Sequence, residues 1–443
     1  MEYSVLSGSV DLTISTITED SRKVVADSVF VCISGDCQDG HDYVNEAIAN
    51  GAVAIVVNRQ IYVSDSITVI LVSNTKAAFS YMAAAYYNYP AEQIKTIGVT
   101  GSRGKTTTCH MIGAILKEAG YEAGYIAEIG RPLEFQKRLN EQVQAKKDVV
   151  VVEVSSMSAK RFAYAGMTFD IGVLINLMRS HIGINEHSSY EEYIDCKGQL
   201  FRQCKLGIVN AECSKLQEIL KNHSCRIETF GLRRGARLYA QYPGLIQKRG
   251  FLGNQFYVEG VLCSCFEMWI PGLFNIYNAL AAIMVARELG IKEASMKKAL
   301  SEVIIPGKFE SIASESGATV LCDAAGNVEE LQNALMTVRE YVPRNVICIL
   351  YPDEAMERNK RYAVGKTLAQ LADEIVLVCE QGAEEVVDGI SLGITEYNGC
   401  LKVAKSSEEA LVLAMKEAEK KGIIVVAGTN KEVDDEVTKV TIK

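Results

Sequence analysis

The chain has 443 residues, 48% of them hydrophobic, which is enough for two or three domains that each have a core of their own. A formal net charge of −9 argues against a broad basic surface for nucleic acid, and no apolar run approaches the roughly 18 residues that a membrane helix needs. No early segment has the shape of a signal or transit peptide, so we expect a cytoplasmic protein. The 13 cysteines are odd in number and none is spaced as Cys-x-x-Cys, which favours reduced packing residues over disulfides or metal ligands.

Residues 1–89 alternate short apolar runs with helical patches, which predicts a small N-terminal α/β domain. The predicted strands are Val29–Ile33, Val53–Val57 and Thr68–Val72, and the predicted helices are Val44–Asn50 and Lys76–Tyr87.

Residues 90–305 have the pattern of a central doubly wound parallel sheet of the P-loop ATPase-like kind. Its predicted strands are Lys95–Val99, Val149–Val154, Ile171–Asn176 and Leu206–Asn210. The polar and aromatic stretch 225–268 is expected to be an irregular β insertion, and Asn275–Gly290 an amphipathic helix.

Pro306-Gly307 marks the predicted start of a third domain, over residues 306–443. Four apolar strands alternate there with helical stretches, which is typical of a Rossmann-like α/β domain: Thr319–Cys322, Val346–Leu350, Ile375–Cys379 and Ile423–Val426. The expected fold class is therefore α/β in three domains.

The segment Gly101-Ser102-Arg103-Gly104-Lys105-Thr106-Thr107 follows an apolar strand and opens a helix, which predicts a phosphate-binding loop. Backbone N–H groups and the helix dipole would face the anion, Lys105 would add charge at the outer phosphates, and the Thr106 hydroxyl would bind Mg²⁺. Val99 stands where the strict P-loop spacing has a glycine, and an ordinary strand-to-helix turn is the alternative.

Glu153 ends the run Val149–Val152, at the edge of the sheet where ligands of open α/β folds bind, so it is a candidate to complete the Mg²⁺ shell. His181 follows the next strand, and Lys197 lies on a helix that is expected to start near Ser188 or Ser189. Taken alone, a histidine of this kind is more often a loop or capping residue than a ligand, and a lysine is more often a solvated charge. Asn278 fits either a helix N-cap or a side chain that reads a base.

Together these segments resemble the Mur ligase family over essentially the whole chain. The resemblance is carried by the phosphate loop and by Glu153-Val-Ser-Ser156, Asn176-Leu-Met-Arg-Ser-His181, Glu186-His-Ser-Ser-Tyr-Glu-Glu-Tyr193, Lys197 and Phe274-Asn-Ile-Tyr-Asn278. Within the family it is strongest to the UDP-N-acetylmuramoyl-tripeptide synthetases, particularly the lysine-adding Gram-positive type. Asp20-Ser-Arg22 and Asp39-Gly-His-Asp42 resemble the uridine-nucleotide-binding part of the family, and Pro306-Gly-Lys-Phe-Glu310 resembles the entry to its third domain.

The resemblance implies an ATP-dependent amide ligase that joins an amino acid to a UDP-muramoyl peptide through an acyl phosphate, in peptidoglycan precursor synthesis. Its cofactors would be ATP and Mg²⁺, its partners small molecules only, and its state a monomer. The resemblance assigns Thr106 and Glu153 to one Mg²⁺ and His181 to a second, which a carbamylated Lys197 would support. It also assigns Asn278 to adenine, Asp323 to ribose, Lys308 to phosphate, and a further set to the substrate: Ser21, Arg22, His41, Ser155 and Ser156.

The acceptor side departs from the family pattern. The motif that reads the incoming diamino acid is replaced by Cys379-Glu-Gln-Gly-Ala-Glu-Glu385, and the third-domain Asp-Tyr-Ala-His-Asn is replaced by Asp323-Ala-Ala-Gly-Asn327. Three interpretations stay open: a ligase with an unassigned amino acid acceptor, a ligase of the same mechanism that acts on another carboxylate, or a catalytically weak paralogue that binds nucleotide or UDP-substrate and regulates a partner.

Overall fold

The computed structural model describes residues 2–35, 38–179, 182–183, 186–248, 250–312, 318–379, 383–418 and 422–429. These residues form two compact units. The first comprises the described residues of 2–231 and Ala281–Lys292, and the second comprises the described residues of 232–280 and from Glu293 onward. Among the described residues, no helix has the length and apolar character needed to cross a bilayer.

The first unit contains the described strands β1 (Tyr3–Ser7), β2 (Thr16–Thr18), β3 (Ser28–Val31), β4 (Ala52–Val57), β5 (Thr68–Val72), β6 (Lys95–Thr100), β7 (Ala123–Ile126), β8 (Val149–Glu153), β9 (Phe169–Leu174), β10 (Cys204–Asn210) and β11 (Arg226–Gly231). Its described helices are α1 (Val44–Ala49), α2 (Thr75–Tyr86), α3 (Pro90–Gln93), α4 (Lys105–Glu118), α5 (Pro132–Gln144), α6 (Ser156–Lys160), α7 (Tyr190–Arg202) and α8 (Leu216–Ile219). Helix α9 (Phe274–Glu288) begins in the second unit and ends in the first.

The second unit contains the described strands β12 (Leu238–Lys248), β13 (Phe251–Gly260), β14 (Ser264–Met268), β15 (Glu310–Ile312), β16 (Thr319–Asp323), β17 (Val346–Leu350), β18 (Glu374–Val378), β19 (Leu401–Ala404) and β20 (Ile423–Ala427). Its described helices are α10 (Glu293–Glu302), α11 (Val328–Arg339), α12 (Arg358–Leu371), α13 (Glu384–Glu396) and α14 (Ser407–Glu417).

The N-terminal sheet of the first unit has the order β1-β5-β4-β3-β2, and only β1 runs antiparallel to its neighbour. The side chains of β3 alternate between the two faces of the sheet and are apolar on both, so each face has to be covered by a helix. Val29 and Val31 pack with Phe79 of α2, whereas Phe30 packs with Val44 of α1.

The larger sheet of the first unit is parallel, with the described strands in the order β11-β10-β9-β6-β8-β7. The chain order reverses at β6, which has β8 on one side and β9 on the other. In an open α/β sheet, such a reversal leaves a crevice outside the carboxyl ends of the strands where ligands bind. The loop after β6 and the residue that ends β8 therefore lie at the expected binding edge.

The second unit has a described sheet of order β15-β16-β20-β17-β18-β19, parallel except for β15. Strands β12, β13 and β14 form an antiparallel ladder in the same unit. The expectation of β structure over residues 225–268 is therefore confirmed, whereas the expectation that it is irregular is wrong. One register shift between Gln241 and Gly244 is the irregularity of this ladder, and the side chains of β14 alternate between buried and exposed as in an ordinary strand.

Helix α9 differs from the sequence-based expectation in its burial. Every residue from Ala279 to Ala286 is buried, so the helix is not amphipathic over these residues. It also begins at Phe274, which places Asn278 inside the helix and excludes the N-cap role for that residue.

Candidate active site

The loop between β6 and α4 has the backbone geometry of a tight strand-to-helix turn. Gly104 adopts a φ of +82°, a left-handed conformation that only glycine adopts without strain, and Lys105 opens α4 directly after it. The Lys105 Nζ donates to the Gly101 carbonyl oxygen at 3.1 Å, so the side chain curls back over the loop. Burial lowers the pKa of Lys105, an effect that the negative charge of Glu153 opposes.

Asn176, which follows β9, holds this loop from the neighbouring strand. Its Oδ1 accepts hydrogen bonds from the backbone N–H groups of Ser102 and Arg103, at 3.0 and 3.1 Å, and its Nδ2 donates to the Arg103 carbonyl at 3.0 Å. The Ser102 and Arg103 amides are thus engaged within the protein. The N–H groups at the start of α4, which include those of Thr106 and Thr107, lack partners within the helix and are the donors suited to an anion.

A second connection joins the loop to α7. The Tyr193 hydroxyl lies 2.7 Å from the Ser102 Oγ, and the Lys197 ammonium lies 4.7 Å from the centroid of the Tyr193 ring. Helix α7 starts where the sequence predicts, because Ser189 accepts the Glu192 N–H as an N-cap. One aromatic side chain therefore connects the phosphate loop with the buried lysine.

Lys197 is almost completely buried, with 2% of its surface exposed. Burial, and next the positive charge of Lys105, lower its pKa from 10.5 to about 7. A substantial fraction of Lys197 is consequently a neutral amine at neutral pH. The structure therefore gives this lysine a chemical character that a solvated lysine does not have.

Glu153 and Thr106 meet at the binding edge of the sheet. Strand β8 ends with Glu153 opposite Val99 of β6, and the carboxylate is buried. The Tyr125 hydroxyl donates to the Glu153 Oε1, and the Thr106 side chain is a hydrogen-bond partner of the same phenol. Burial, together with Glu153, raises the pKa of Tyr125 far above its usual range, so the phenol keeps its proton. A carboxylate and a hydroxyl that share this phenol as a partner are hard oxygen donors of the kind that Mg²⁺ prefers.

The other predicted metal ligand, His181, lies outside the described residues. Among the residues that are described, no three His, Cys, Asp or Glu side chains group together as a metal site.

The predicted substrate residues Ser155 and Ser156 have partners inside the first unit. Ser155 caps α6 by accepting the Ser158 N–H at 3.1 Å, and the Ser156 Oγ lies 2.9 Å from the Nε2 of the buried His187. Their role towards substrate stays a prediction.

The two N-terminal motifs form the same local structure. Asp20 accepts the Arg22 N–H and Asp39 accepts the His41 N–H, each at the start of a short 3-10 turn. Such turns are a general property of aspartate. Part of the signal in these motifs is therefore turn formation rather than recognition.

The side chains of these motifs differ in exposure. The Arg22 guanidinium pairs with Asp20 at 2.9 Å and is 82% exposed, whereas His41 is buried with its Nδ1 at 2.6 Å from Asp39. The hydrogen bonds from His41 hold the pKa of Asp39 well below its usual range. Ser21 is buried, with its carbonyl accepting from Asn50. Arg22 is thus the member of this set whose side chain is open to a ligand.

The remaining predicted residues belong to the second unit. Asp323 ends β16 and accepts the backbone N–H groups of Phe309 and Ala325, and the Lys308 Nζ lies 3.5 Å from its carboxylate. Burial raises the pKa of Asp323, an effect that Lys308 opposes. The Asn278 Nδ2 donates to the Asn275 Oδ1 at 2.8 Å.

A cavity of about 650 Å³ opens in the second unit at the carboxyl ends of β16, β17, β18 and β20. Its described lining includes four acidic side chains and one basic side chain: Glu330, Asp353, Glu354, Glu357 and Lys360. The Lys360 Nζ pairs with Glu357 at 3.2 Å, which leaves the cavity with an excess of negative charge.

Three family models match successive parts of the chain. They are the "Mur ligase family, catalytic domain" at residues 13–95, the "Mur ligase middle domain" at residues 99–286 and the "Mur ligase, glutamate ligase domain" at residues 307–430. The boundaries predicted at 89/90 and 305/306 stay predictions.

Relatives match over nearly the whole chain. A protein of Clostridium botulinum is 31% identical, with 98% of this chain and 93% of the relative covered, and one of Caldanaerobacter subterraneus is 30% identical, with 96% and 92% covered. Both are named UDP-N-acetylmuramoyl-L-alanyl-D-glutamate--2,6-diaminopimelate ligase. A solved structure of a ligase with that name has a TM-score of 0.74 at 20% identity, with 96% of this chain and 92% of that chain covered. These comparisons confirm the predicted three-domain α/β fold class and the predicted ligase class, and the chain belongs to the Mur ligase family.

Proposed function

We propose that this Mur ligase uses ATP to phosphorylate a carboxylate of a UDP-muramoyl peptide and then joins that carboxyl group to the amine of an amino acid. The substrate carboxylate attacks the terminal phosphorus and ADP leaves. The amine then attacks the acyl phosphate, loses a proton and expels phosphate. The observation that carries the proposal is the meeting of the phosphate loop, Lys105, Glu153 and the buried Lys197 at one edge of the parallel sheet.

The residues of this edge suit phosphoryl transfer. Lys105 and the N–H groups at the start of α4 place positive charge where the transferred phosphoryl group develops negative charge. The hydrogen bonds from Asn176 and Tyr193 hold the loop in place beforehand, so little reorganisation is needed when the nucleotide binds.

Thr106 and Glu153 are the residues that would hold Mg²⁺ here. An Mg²⁺ ion held by these residues would supply positive charge that neutralises the phosphate oxygens. The Thr106 hydroxyl and the Glu153 carboxylate fit the ion because both are oxygen donors that already share one hydrogen-bonding partner, Tyr125.

Lys197 is suited to carbamylation. The neutral amine of a lysine adds to CO₂ and releases a proton, which gives an anionic carbamate, and the pKa of about 7 makes that amine available. The neighbouring charge of Lys105 destabilises the ammonium form and would stabilise the carbamate. The carbamate would offer an anionic oxygen ligand for a metal ion, which neither the amine nor the ammonium form of the unmodified side chain provides.

The acceptor is proposed to be an amine with a net positive charge. The excess of acidic side chains in the 650 Å³ cavity attracts a second ammonium group and repels a second carboxylate. A basic amino acid such as lysine fits this description better than diaminopimelate, which carries two carboxylates.

The test is phosphate release from ATP with Mg²⁺, UDP-N-acetylmuramoyl-L-Ala-D-Glu and a panel of amines, with products followed by mass. A new adduct with one amine supports the proposal and identifies the acceptor. Binding of both substrates without phosphate release would favour a regulatory binding protein, and binding of ATP alone would favour another carboxylate.

Site variants belong to the same test. Lys105→Ala and Glu153→Ala are expected to abolish turnover with the fold intact, whereas Lys117→Ala, an exposed lysine on the same helix, is the control expected to keep it. Normal turnover of either site variant would refute the assignment of the site. The cytoplasmic location and the monomeric state stay predictions.

A further inference from the structure

Tyr125 connects two strands through its hydroxyl group. It lies in β7 opposite Val151 of β8, and Glu153 is two residues further along β8, on the same face. The long Tyr125 side chain spans this offset along the neighbouring strand. The phenol accordingly donates to the Glu153 Oε1 and is hydrogen-bonded to the Thr106 side chain. One hydroxyl thus bridges the two oxygen-bearing side chains that the proposed metal site uses.

The bridge is compatible with movement of the ring. Tyr125 is 40% exposed, and the centroid of its ring lies 5.2 Å from that of the half-buried His110 on α4. A rotation of the side chain towards solvent therefore does not require unpacking of the core. The carboxylate of Glu153, by contrast, is buried at the end of its strand.

We propose that Tyr125 is a positioning residue that holds Glu153 and Thr106 in the resting enzyme and has to release Glu153 before both bind Mg²⁺ directly. The inference rests on the proposed function, because it takes Thr106 and Glu153 as the metal ligands. The phenol donates its hydrogen bond to one lone pair of the Glu153 Oε1, so a cation that approaches the same oxygen competes with the phenol. Tyr125 keeps the ligands in place and weakens metal binding at the same time.

This competition predicts the direction in which the metal affinity changes when the hydroxyl is removed. A tyrosine with a purely structural role predicts no such change. Tyr125→Phe keeps the ring but removes the hydroxyl, so the metal no longer has to break the hydrogen bond to Glu153. A hydrogen bond to a charged group contributes enough that its removal is expected to tighten metal binding by roughly tenfold. If Tyr125 instead kept its hydrogen bond to Glu153 while the ion is bound, and so oriented the carboxylate towards the ion, the same substitution would weaken metal binding.

The experiment measures the affinity of the ADP-saturated full-length protein for Mn²⁺, by electron paramagnetic resonance, for the wild type, Tyr125→Phe and Tyr121→Phe. Tyr121→Phe is the matched control, because Tyr121 precedes β7 and shares no hydrogen bond with Thr106 or Glu153 among the contacts described here. The expected result is tighter binding for Tyr125→Phe alone. Equal or weaker binding by that variant overturns the inference.

A second readout follows the ring itself and uses the hydroxyl-bearing protein. With 3-fluorotyrosine at position 125, the fluorine resonance is expected to shift when Mg²⁺ is added to the ADP complex, because the ring leaves Glu153. An unchanged resonance in a protein that binds the metal overturns the displacement. If the wild type binds no metal in the presence of ADP, the proposed metal site fails, and this inference fails with it. If the wild type binds metal but the Tyr125 readouts do not change as expected, only this inference fails.

Discussion

Asn176 holds Arg103 through two reciprocal hydrogen bonds. Its Oδ1 accepts the Arg103 N–H at 3.1 Å, and its Nδ2 donates to the Arg103 carbonyl oxygen at 3.0 Å. A single amide side chain thereby holds both the backbone N–H and the carbonyl group of Arg103. This side chain follows β9, whereas the loop follows β6. The shape of the phosphate loop depends on β9 as well as on its own glycines.

Asn176→Ala is expected to weaken ADP binding by about tenfold or more, because three hydrogen bonds that order the loop are lost. Asn176→Asp is expected to weaken ADP binding further, since it loses the donor and adds a negative charge near the phosphates. Isothermal titration calorimetry with ADP measures both. Asn140→Ala, at a half-buried position of α5, is the control. An unchanged affinity for Asn176→Ala would mean that the loop holds its shape without Asn176.

The sequence was sufficient for the elements that carry the phosphate site. Apolar runs predicted strands within a few residues of β6, β8 and β9, and glycines followed by Lys105 predicted the turn into α4. These features are local, because the pattern of a buried strand and a helix start is written in consecutive residues. The family resemblance added predicted roles for Lys197 and Asn278, which no local pattern assigns.

The contacts that shape the site could not be predicted in this way. Tyr125 reaches Glu153 because β7 pairs with β8 in a particular register, and the two strands are separated in sequence by α5. The contact between Tyr193 and Ser102 likewise joins residues of different elements. The alternation of β12–β14 was obscured by exposed aromatic and polar side chains, and the burial of α9 depends on what surrounds it rather than on its own sequence.

The lowered pKa of Lys197 predicts how stability depends on pH. The pKa falls from 10.5 in the unfolded chain to about 7 in the folded protein, so the unfolded chain binds more protons between these values. The stability cost is complete below about pH 7 and is relieved as the pH rises towards 10.5. Lys197→Met removes the charge and the cost.

Thermal unfolding of the two proteins in CO₂-free buffer is the measurement. Lys197→Met is expected to have the higher melting temperature near pH 7, with an advantage that shrinks steadily towards about pH 10. The comparison cancels the titration of other groups because they are common to both proteins. A difference in melting temperature that does not depend on pH would mean that folding does not lower the pKa of Lys197.

Carbamylation of Lys197 predicts rescue by small acids. Lys197→Ala is expected to lose nearly all ligase turnover, because it removes the anionic oxygens as well as the side chain. Acetate or propionate is expected to restore part of the turnover by entering the space that the side chain leaves. Turnover at increasing acid concentration is measured, with Lys197→Arg as a variant whose side chain leaves no such space. A Lys197→Ala protein with wild-type turnover would make the lysine structural.

The acidic cavity of the second unit predicts the charge preference of the acceptor. Glu354 lines the cavity, and no ion pair or hydrogen bond of its side chain is seen among the described residues, so its charge can be changed with little effect on folding. Glu354→Gln is expected to raise the KM for a cationic acceptor by roughly three- to tenfold with kcat nearly unchanged, since a partly screened charge acts on binding more than on the chemical step. Glu354→Lys is expected to shift the ratio of kcat/KM values from lysine towards diaminopimelate. Glu408→Gln, an exposed residue of α14 outside the cavity lining, is the control. Equal effects of Glu354→Lys on both acceptors would show that the cavity charge does not select the amine, because a selective field acts in opposite directions on an extra ammonium and an extra carboxylate.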